Sequence, residues 1–267
     1  MDGKWAARLA AGARSVLREA TGGLVALCFP DECRVCARAL EAPARIPICS
    51  RCLDSFRIIT APYCGLCGRP VVTGASVGTA GTMCALCRRG VYGFDLARSY
   101  AAYDDALLRT ITLLKHEAIR PLANWLGERL AEVAGADPAA SRASLVAPVP
   151  LHPQREWERG FNQAELLARA VAVRMGLPLE KRGLERRKPR PPKLKLSRHE
   201  RWHSARGAYA AVSGTQFDNQ RVLLVDDVFT TGATLDACAR ALREAGAAHV
   251  TALTVARVVD AWTGSLP

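Results

Sequence analysis

The chain has 267 residues, 49% of them hydrophobic, with 37 Lys and Arg against 25 Asp and Glu for a formal net charge of +12. That length accommodates one sizeable α/β domain plus a small one, and the apolar content is ordinary for a globular protein. No run of 18 apolar residues exists, so no membrane-spanning helix is predicted, and the basic balance favours polyanionic partners.

Residues 1–27 read as an Ala-rich N-terminal helix interrupted by Arg8, Arg14, Arg18 and Glu19. Those charges break up any secretory core, so a cytoplasmic and therefore reducing location is expected. Eight of the ten cysteines form four C-x-x-C pairs within residues 28–90: Cys33/Cys36, Cys49/Cys52, Cys64/Cys67 and Cys84/Cys87. In a reducing compartment this is a metal pattern and not a disulfide framework. Two tetrahedral Cys₄ zinc sites use all eight thiolates, giving a double zinc ribbon whose closed coordination makes it structural. Sequential pairing (first with second, third with fourth) and a cross-braced arrangement both fit the spacing. Cys28 and Cys238 are expected to be core residues.

From residue 93 to 267 the pattern is that of a second domain. RSYAAYDDALLRTITLLKHEA passes from an alternating aromatic stretch into helical spacing at Leu107, Leu108, Ile111 and Leu114. Pro121 opens a further helix that ends near Gly135, and residues 145–149 (LVAPV) read as a buried strand. REWERGFNQ, at 155–163, reads as a functional loop: it brings Arg155, Arg159 and the permissive Gly160 before a helix starting near Asn162. Positive charge with free N–H donors suits a departing pyrophosphate.

Residues 181–206 concentrate eleven Lys/Arg against Glu185 and Glu200. Residues 207–212 (GAYAAV) read as a short strand leading towards the next one. That next segment, VLLVDDVFTTGATL at 222–235, carries the most information. Four apolar residues run into Asp226 and Asp227. The small, hydroxyl-rich loop Thr230, Thr231, Gly232, Ala233, Thr234 follows, and then a helix with Leu235, Cys238, Ala239 and Leu242 on one face. Loop and helix N-terminal N–H groups suit a phosphate, and the adjacent carboxylates suit a vicinal diol. Together they fit a ribose 5-phosphate. With a last strand near 249–256, strand–helix alternation predicts a parallel sheet flanked by helices, ligand at the carboxyl ends of its strands.

The 222–235 string resembles the phosphoribosyl pyrophosphate (PRPP) motif of type I phosphoribosyltransferases. With the four C-x-x-C pairs, LLKHE around Lys115 and VAPVPLHPQREWERGFNQAELLA at 146–168, the chain resembles the ComF family: a zinc-ribbon module followed by a type I phosphoribosyltransferase-like α/β domain. The resemblance implies that Asp226 and Asp227 hold the ribose hydroxyls and that Thr230–Thr234 wrap the 5′-phosphate. Arg159, Arg155, Gly160, Arg201 and Lys115 are the further candidates for phosphate or pyrophosphate contact, and Mg²⁺ would enter with PRPP. It also implies an association with natural competence and DNA uptake. One stretch departs from the family: Arg190, Lys193 and Ser204 replace a Thr, a Gln and an Asn, while Arg201 matches.

The favoured reading is a phosphoribosyltransferase that displaces pyrophosphate from PRPP. No residue stands out as its general base among His116, His152, His199 and His203. A second reading is a non-catalytic sensor of PRPP or a nucleotide that binds single-stranded DNA through the ribbons and basic block, with Trp157, Trp202 and Tyr209 available for stacking. A third makes the zinc module a docking surface for a helicase-like or other DNA-processing partner.

Overall fold

The computed structural model describes residues 32–40, 45–71, 83–189, 197–215 and 217–259. The predicted helix at 1–27, Cys28, and Arg190, Lys193 and Lys195 of the basic block lie outside the described residues. The chain divides into two compact units, Met1–Ser55 and Phe56–Pro267. The first C-x-x-C quartet belongs to one unit and the second to the other.

Both quartets share one local plan. Each begins with a knuckle: Cys33 N–H donates to Arg38 O and Ala37 N–H returns to Cys33 O, as Cys64 N–H donates to Arg69 O and Gly68 N–H to Cys64 O. Each ends in a short helix, α1 (Ser50–Asp54) and α2 (Ala85–Arg88), whose N-cap is a cysteine of the quartet, Cys49 or Cys84. In the larger unit the second knuckle packs directly on the sheet. Ala97 N–H donates to Leu66 O at 2.7 Å, and a Cβ on Gly68 would lie 2.7 Å from Ala97 O.

The sheet has four parallel strands in the order β1 (Leu96–Ala102), β6 (His249–Arg257), β5 (Arg221–Phe229), β2 (Leu145–Pro148). Its strands are near-continuous apolar runs, as expected for a parallel sheet covered on both sides. Period-two alternation separates the faces. Val222, Leu224, Val250 and Ala252 join one core cluster with Leu235, Cys238, Ala239 and Leu242 of the helix that follows the phosphate loop. The intervening Leu223, Val225 and Leu253 are equally buried on the other side. That side is covered by helices α4 (Arg120–Ala136) and α6 (Gln163–Met175), which pack on each other and on the strands. Their Leu122, Leu126, Leu130 and Leu167 are fully buried, each contributing roughly 1.5–3 kcal/mol. This is the parallel α/β sheet flanked by helices that the pattern predicts. Cys238 is a core residue with no exposure.

Two local expectations need correction. Residues 153–159 are not loop but a short helix, α5 (Pro153–Arg159), with His152 as N-cap accepting from Gln154 N and Gly160 as a left-handed C-cap. Proline fits the first helical turn and His152 supplies the cap, so only 160–162 remain irregular. The short strand expected within 207–212 is present as β4 (Tyr209–Ala211). It pairs antiparallel with β3 (Leu184–Arg186) in a separate two-stranded sheet. A turn through Gly214 and Asn219, both at positive φ, redirects the chain before Arg221. Finally, Leu108 is exposed although it lies beside buried Leu107 in α3 (Asp105–Glu117).

Candidate functional site

The carboxyl ends of β2 and β5 open onto a cavity of about 360 Å³. Into it the structure brings Lys115, Arg155, Arg159, Arg201, Asp226, Asp227, Thr230, Thr231, Ala233 and Thr234, all named from the sequence. Four chain segments converge there. Lys115 comes from α3, Arg155 and Arg159 from α5, Arg201 from α7 (Arg198–Ala205), and the rest from β5 and its following loop. Gln163, Arg186 and Tyr209 also line it, as do His152 and Ser204. Gly160 and Gly232 do not line the cavity but shape its edges.

Asp227 is the buried centre of this arrangement. Its Oδ2 lies 3.0 Å from Lys115 Nζ and accepts from Gln163 Nε2, also at 3.0 Å. Gln163 uses the other end of its amide to accept from an Arg159 guanidinium nitrogen. A single side chain thus links the α5 cation to the β5 carboxylate. Asp226 Oδ1 accepts from the Asp227 backbone N–H at 2.8 Å, which orients the half-buried acid at the strand end. Arg159 is pulled below the usual arginine range by burial, with Arg155 adding to the effect and Asp227 opposing it; an arginine stays charged under such a shift.

The Thr-rich loop after β5 runs from Thr230 to α8 (Ala233–Glu244). Gly232 is its N-cap at φ +83, and a Cβ there would lie 2.6 Å from ring carbons of both Phe229 and Tyr92. Only glycine meets both demands. Thr231 Oγ1 accepts from Ala233 N–H at 3.3 Å, and the Thr231 carbonyl accepts from Tyr92 OH at 3.2 Å. Opposite the loop, Arg186 NH1 donates to Tyr209 OH at 3.1 Å across the β3–β4 pair. Burial pushes the Tyr209 hydroxyl well above its ordinary pKa, so it stays protonated.

Five cations line the cavity (Lys115, Arg155, Arg159, Arg186, Arg201) against two carboxylates. The excess suits a ligand carrying several negative charges and a diol. Of the four histidines considered, only His152 reaches the cavity. His199 and His203 line a separate cavity of about 650 Å³ beside Trp202. Trp157 projects from α5 at 85% exposure. Sequence reasoning missed Gln163 and Arg186. Gln163 stood inside the RGFNQ string, where its position directly after a helix cap was the available signal.

The cysteines group sequentially, Cys33, Cys36, Cys49 and Cys52 in one cluster and Cys64, Cys67, Cys84 and Cys87 in the other. Sulfur separations of 3.9 Å (Cys33–Cys52), 3.7 Å (Cys36–Cys49) and 3.8 Å (Cys67–Cys84) match the edge of about 3.8 Å that a tetrahedron with Zn–S bonds of about 2.3 Å requires. Backbone N–H groups of Cys49 and Cys84 donate to Cys33 Sγ and Cys64 Sγ at 3.3 Å, as thiolate ligands favour. Both clusters fit structural zinc. Among the described residues no helix is long and apolar enough to cross a membrane.

Comparison with known proteins matches residues 164–262 to the phosphoribosyl transferase domain family and residues 24–88 to the double zinc ribbon domain family. Competence protein F of Haemophilus influenzae is 28% identical over 222 residues, covering 80% of this chain and 92% of that protein. Competence protein ComFC of Bacillus subtilis is 30% identical over 218 residues, 79% of this chain and 84% of its own. DNA utilization protein YhgH of Escherichia coli (strain K12) is 27% identical over 227 residues, 84% and 96% of the two chains.

Proposed function

The chain belongs to the ComF family, represented by competence protein F and ComFC, and from that premise we propose that it binds PRPP and transfers its ribose 5-phosphate to a nucleophile with release of pyrophosphate. The observation that carries this reading is the convergence on one cavity of the Asp226–Asp227 pair, the Thr230–Thr234 loop and five cations.

The residues divide the work by chemistry. The loop N–H groups and the hydroxyls of Thr231 and Thr234 hold the 5′-phosphate at the start of α8. Asp226 and Asp227 accept from the ribose hydroxyls. Lys115 and Gln163 both use Oδ2 of Asp227, and in this reading Oδ1 serves the sugar. As the C1–oxygen bond breaks, positive charge grows on the sugar ring and negative charge on the departing pyrophosphate. Arg155, Arg159 and Arg201 neutralise the latter. Mg²⁺ would enter with PRPP, held mainly by its oxygens and water. Incubating the zinc-loaded protein with PRPP, Mg²⁺ and ammonium or nucleobase acceptors tests the transfer. Pyrophosphate release that Arg159→Ala suppresses supports it. No release with any acceptor, in a protein that binds PRPP, leaves a sensor and not an enzyme.

A second reading rests on Trp157, an indole at 85% exposure on the same short helix as Arg155. It gives the protein a stacking platform for single-stranded DNA at the cavity rim. The competence and DNA-utilization names of its relatives favour a DNA-related role, and this reading places the protein in the cytoplasm with a helicase-like protein as a further partner. Fluorescence anisotropy with a labelled oligonucleotide at several salt concentrations tests the DNA contact. Affinity unchanged by Trp157→Ala would remove the platform.

A further inference from the structure

Beneath the phosphate loop lies a buried cation that the transfer reaction does not use. Arg257 ends β6 at 4% exposure. Its guanidinium donates to Cys67 O at 2.7 Å and to Cys67 Sγ at 3.4 Å. The same group sits 3.9 Å from the centroid of the Phe229 ring. Phe229 is the last residue of β5, immediately before Thr230.

The contacts continue upward without a gap. Phe229 meets Tyr92 and Phe94 edge-on at 5.9 Å, and Tyr92 stacks on Phe94 at 4.7 Å. Gly232 rests against the Phe229 and Tyr92 rings, and Tyr92 OH holds the Thr231 carbonyl. Burial keeps that hydroxyl protonated, raising its pKa to about 12, so it remains a donor. A chain of packed groups therefore joins a ligand atom of the second cysteine cluster to the backbone of the phosphate loop.

The geometry gives this chain a direction. Zinc held by Cys64, Cys67, Cys84 and Cys87 would fix the position of Cys67, and with it the carbonyl and sulfur that hold Arg257. With the cluster open, the knuckle that carries both acceptors is released, and the guanidinium packed on the Phe229 ring loses its anchor beneath the loop.

We propose that Arg257 is a positioning residue that ties the metal state of the second cysteine cluster to the conformation of the Thr230–Thr234 loop, so that the phosphate site is fully built only while that cluster is closed around zinc. The ligand half of this statement rests on the PRPP reading; the loop half does not. Because coupling is reciprocal, ribose 5-phosphate on the loop must also slow loss of zinc from the cluster.

The test compares zinc-loaded full-length wild type with Arg257→Gln and Arg257→Lys. Zinc content is measured first, then amide hydrogen exchange at residues 230–235, then the rate of zinc release to a chelator with and without ribose 5-phosphate. Arg257→Gln is expected to retain two zinc ions per chain yet exchange its loop amides about tenfold faster, a typical coupling magnitude. Arg257→Lys should recover part of the protection. Ribose 5-phosphate should slow zinc release in wild type and not in Arg257→Gln. Loop exchange unchanged in a zinc-replete Arg257→Gln protein overturns the proposal. So does zinc release in wild type that is indifferent to bound ribose 5-phosphate. Loosened loop amides in Arg257→Gln, with no ribose 5-phosphate binding to wild type, would uphold the mechanical coupling and sink the PRPP reading instead.

Discussion

Lys115 Nζ lies 3.0 Å from Asp227 Oδ2, so a helix following the edge strand β1 supplies the counter-charge for a carboxylate at the end of β5. The two residues are far apart in sequence, and the pair is largely withdrawn from water, with side-chain exposures of 28% and 8%. Removing one partner of such a pair strands the other charge. Lys115→Met is therefore expected to lower unfolding free energy by about 3 kcal/mol near neutral pH. Asp227→Asn added to Lys115→Met should restore most of it. Denaturant unfolding of wild type and the two variants at pH 8 checks this.

Gln163 makes a second and subtler link, because its amide bridges Arg159 and Asp227. Gln163→Glu would replace the amide donor with a carboxylate 3.0 Å from Asp227. PRPP affinity should fall by about tenfold or more, because two carboxylates then face each other and the link to Arg159 no longer ends in a donor to Asp227. Calorimetry at pH 8 decides this. Affinity equal to wild type would show that the bridge does not matter to the ligand.

The two glycines that frame the cavity should respond differently to one added methyl group. Gly232 and Gly160 both have positive φ, +83 and +77. A Cβ at Gly232 meets two rings at 2.6 Å, whereas at Gly160 it meets nothing within 4 Å. Gly160→Ala should therefore cost about 1 kcal/mol of backbone strain. Gly232→Ala should cost about 1–3 kcal/mol more from overpacking and displace the phosphate loop. Unfolding curves give the stability difference, and titration with ribose 5-phosphate shows whether only Gly232→Ala loses the ligand.

His249 gives the stability a pH dependence. Burial lowers its pKa below the ordinary 6.5, and Arg221 and Arg243 push the same way while Asp95 opposes them and Asp137 adds a weaker opposition. Asp95 stands only 3.6 Å away, but it already pairs with Arg243 and accepts from Val250 N–H at 2.8 Å. Its pull on the imidazole does not outweigh burial. As pH falls through about 6.5 the unfolded chain takes up this proton before the folded one does, so stability must drop. The drop ends once pH passes the lowered folded-state value, and above about 7 the contribution is flat. Replacing His249 with Gln should flatten this component in urea unfolding measured from pH 5 to pH 8.

The strand–loop–helix at 222–235 and the two cysteine clusters were legible in the sequence because each is written in short runs. Asp226, Asp227 and Thr230–Thr234 are contiguous, and C-x-x-C spacing states its own geometry. What could not be read is what the fold brings together from afar. Gln163 and Asp227 are separated by 64 positions, and Arg257 and Cys67 by 190. No periodicity announces such pairs. The order of cysteine pairing was open for the same reason, since four equal spacings admit more than one closure. The helix at 153–159 was read as a loop because its charged residues and Gly160 outweighed Pro153 and the capping His152, local signals that were present. The strand at 209–211 was legible, but not its partner, because three residues of strand say nothing about which edge they join.

Calorimetric titration of the zinc-loaded protein with PRPP in the presence of Mg²⁺, alongside an Asp226→Ala/Asp227→Ala double variant, tests the central claim most directly. Saturable binding by wild type that falls at least about a hundredfold in the variant, as loss of two charge-assisted diol contacts requires, is the expected result. A folded wild-type protein that shows no saturable binding, or a double variant that binds equally well, would contradict it.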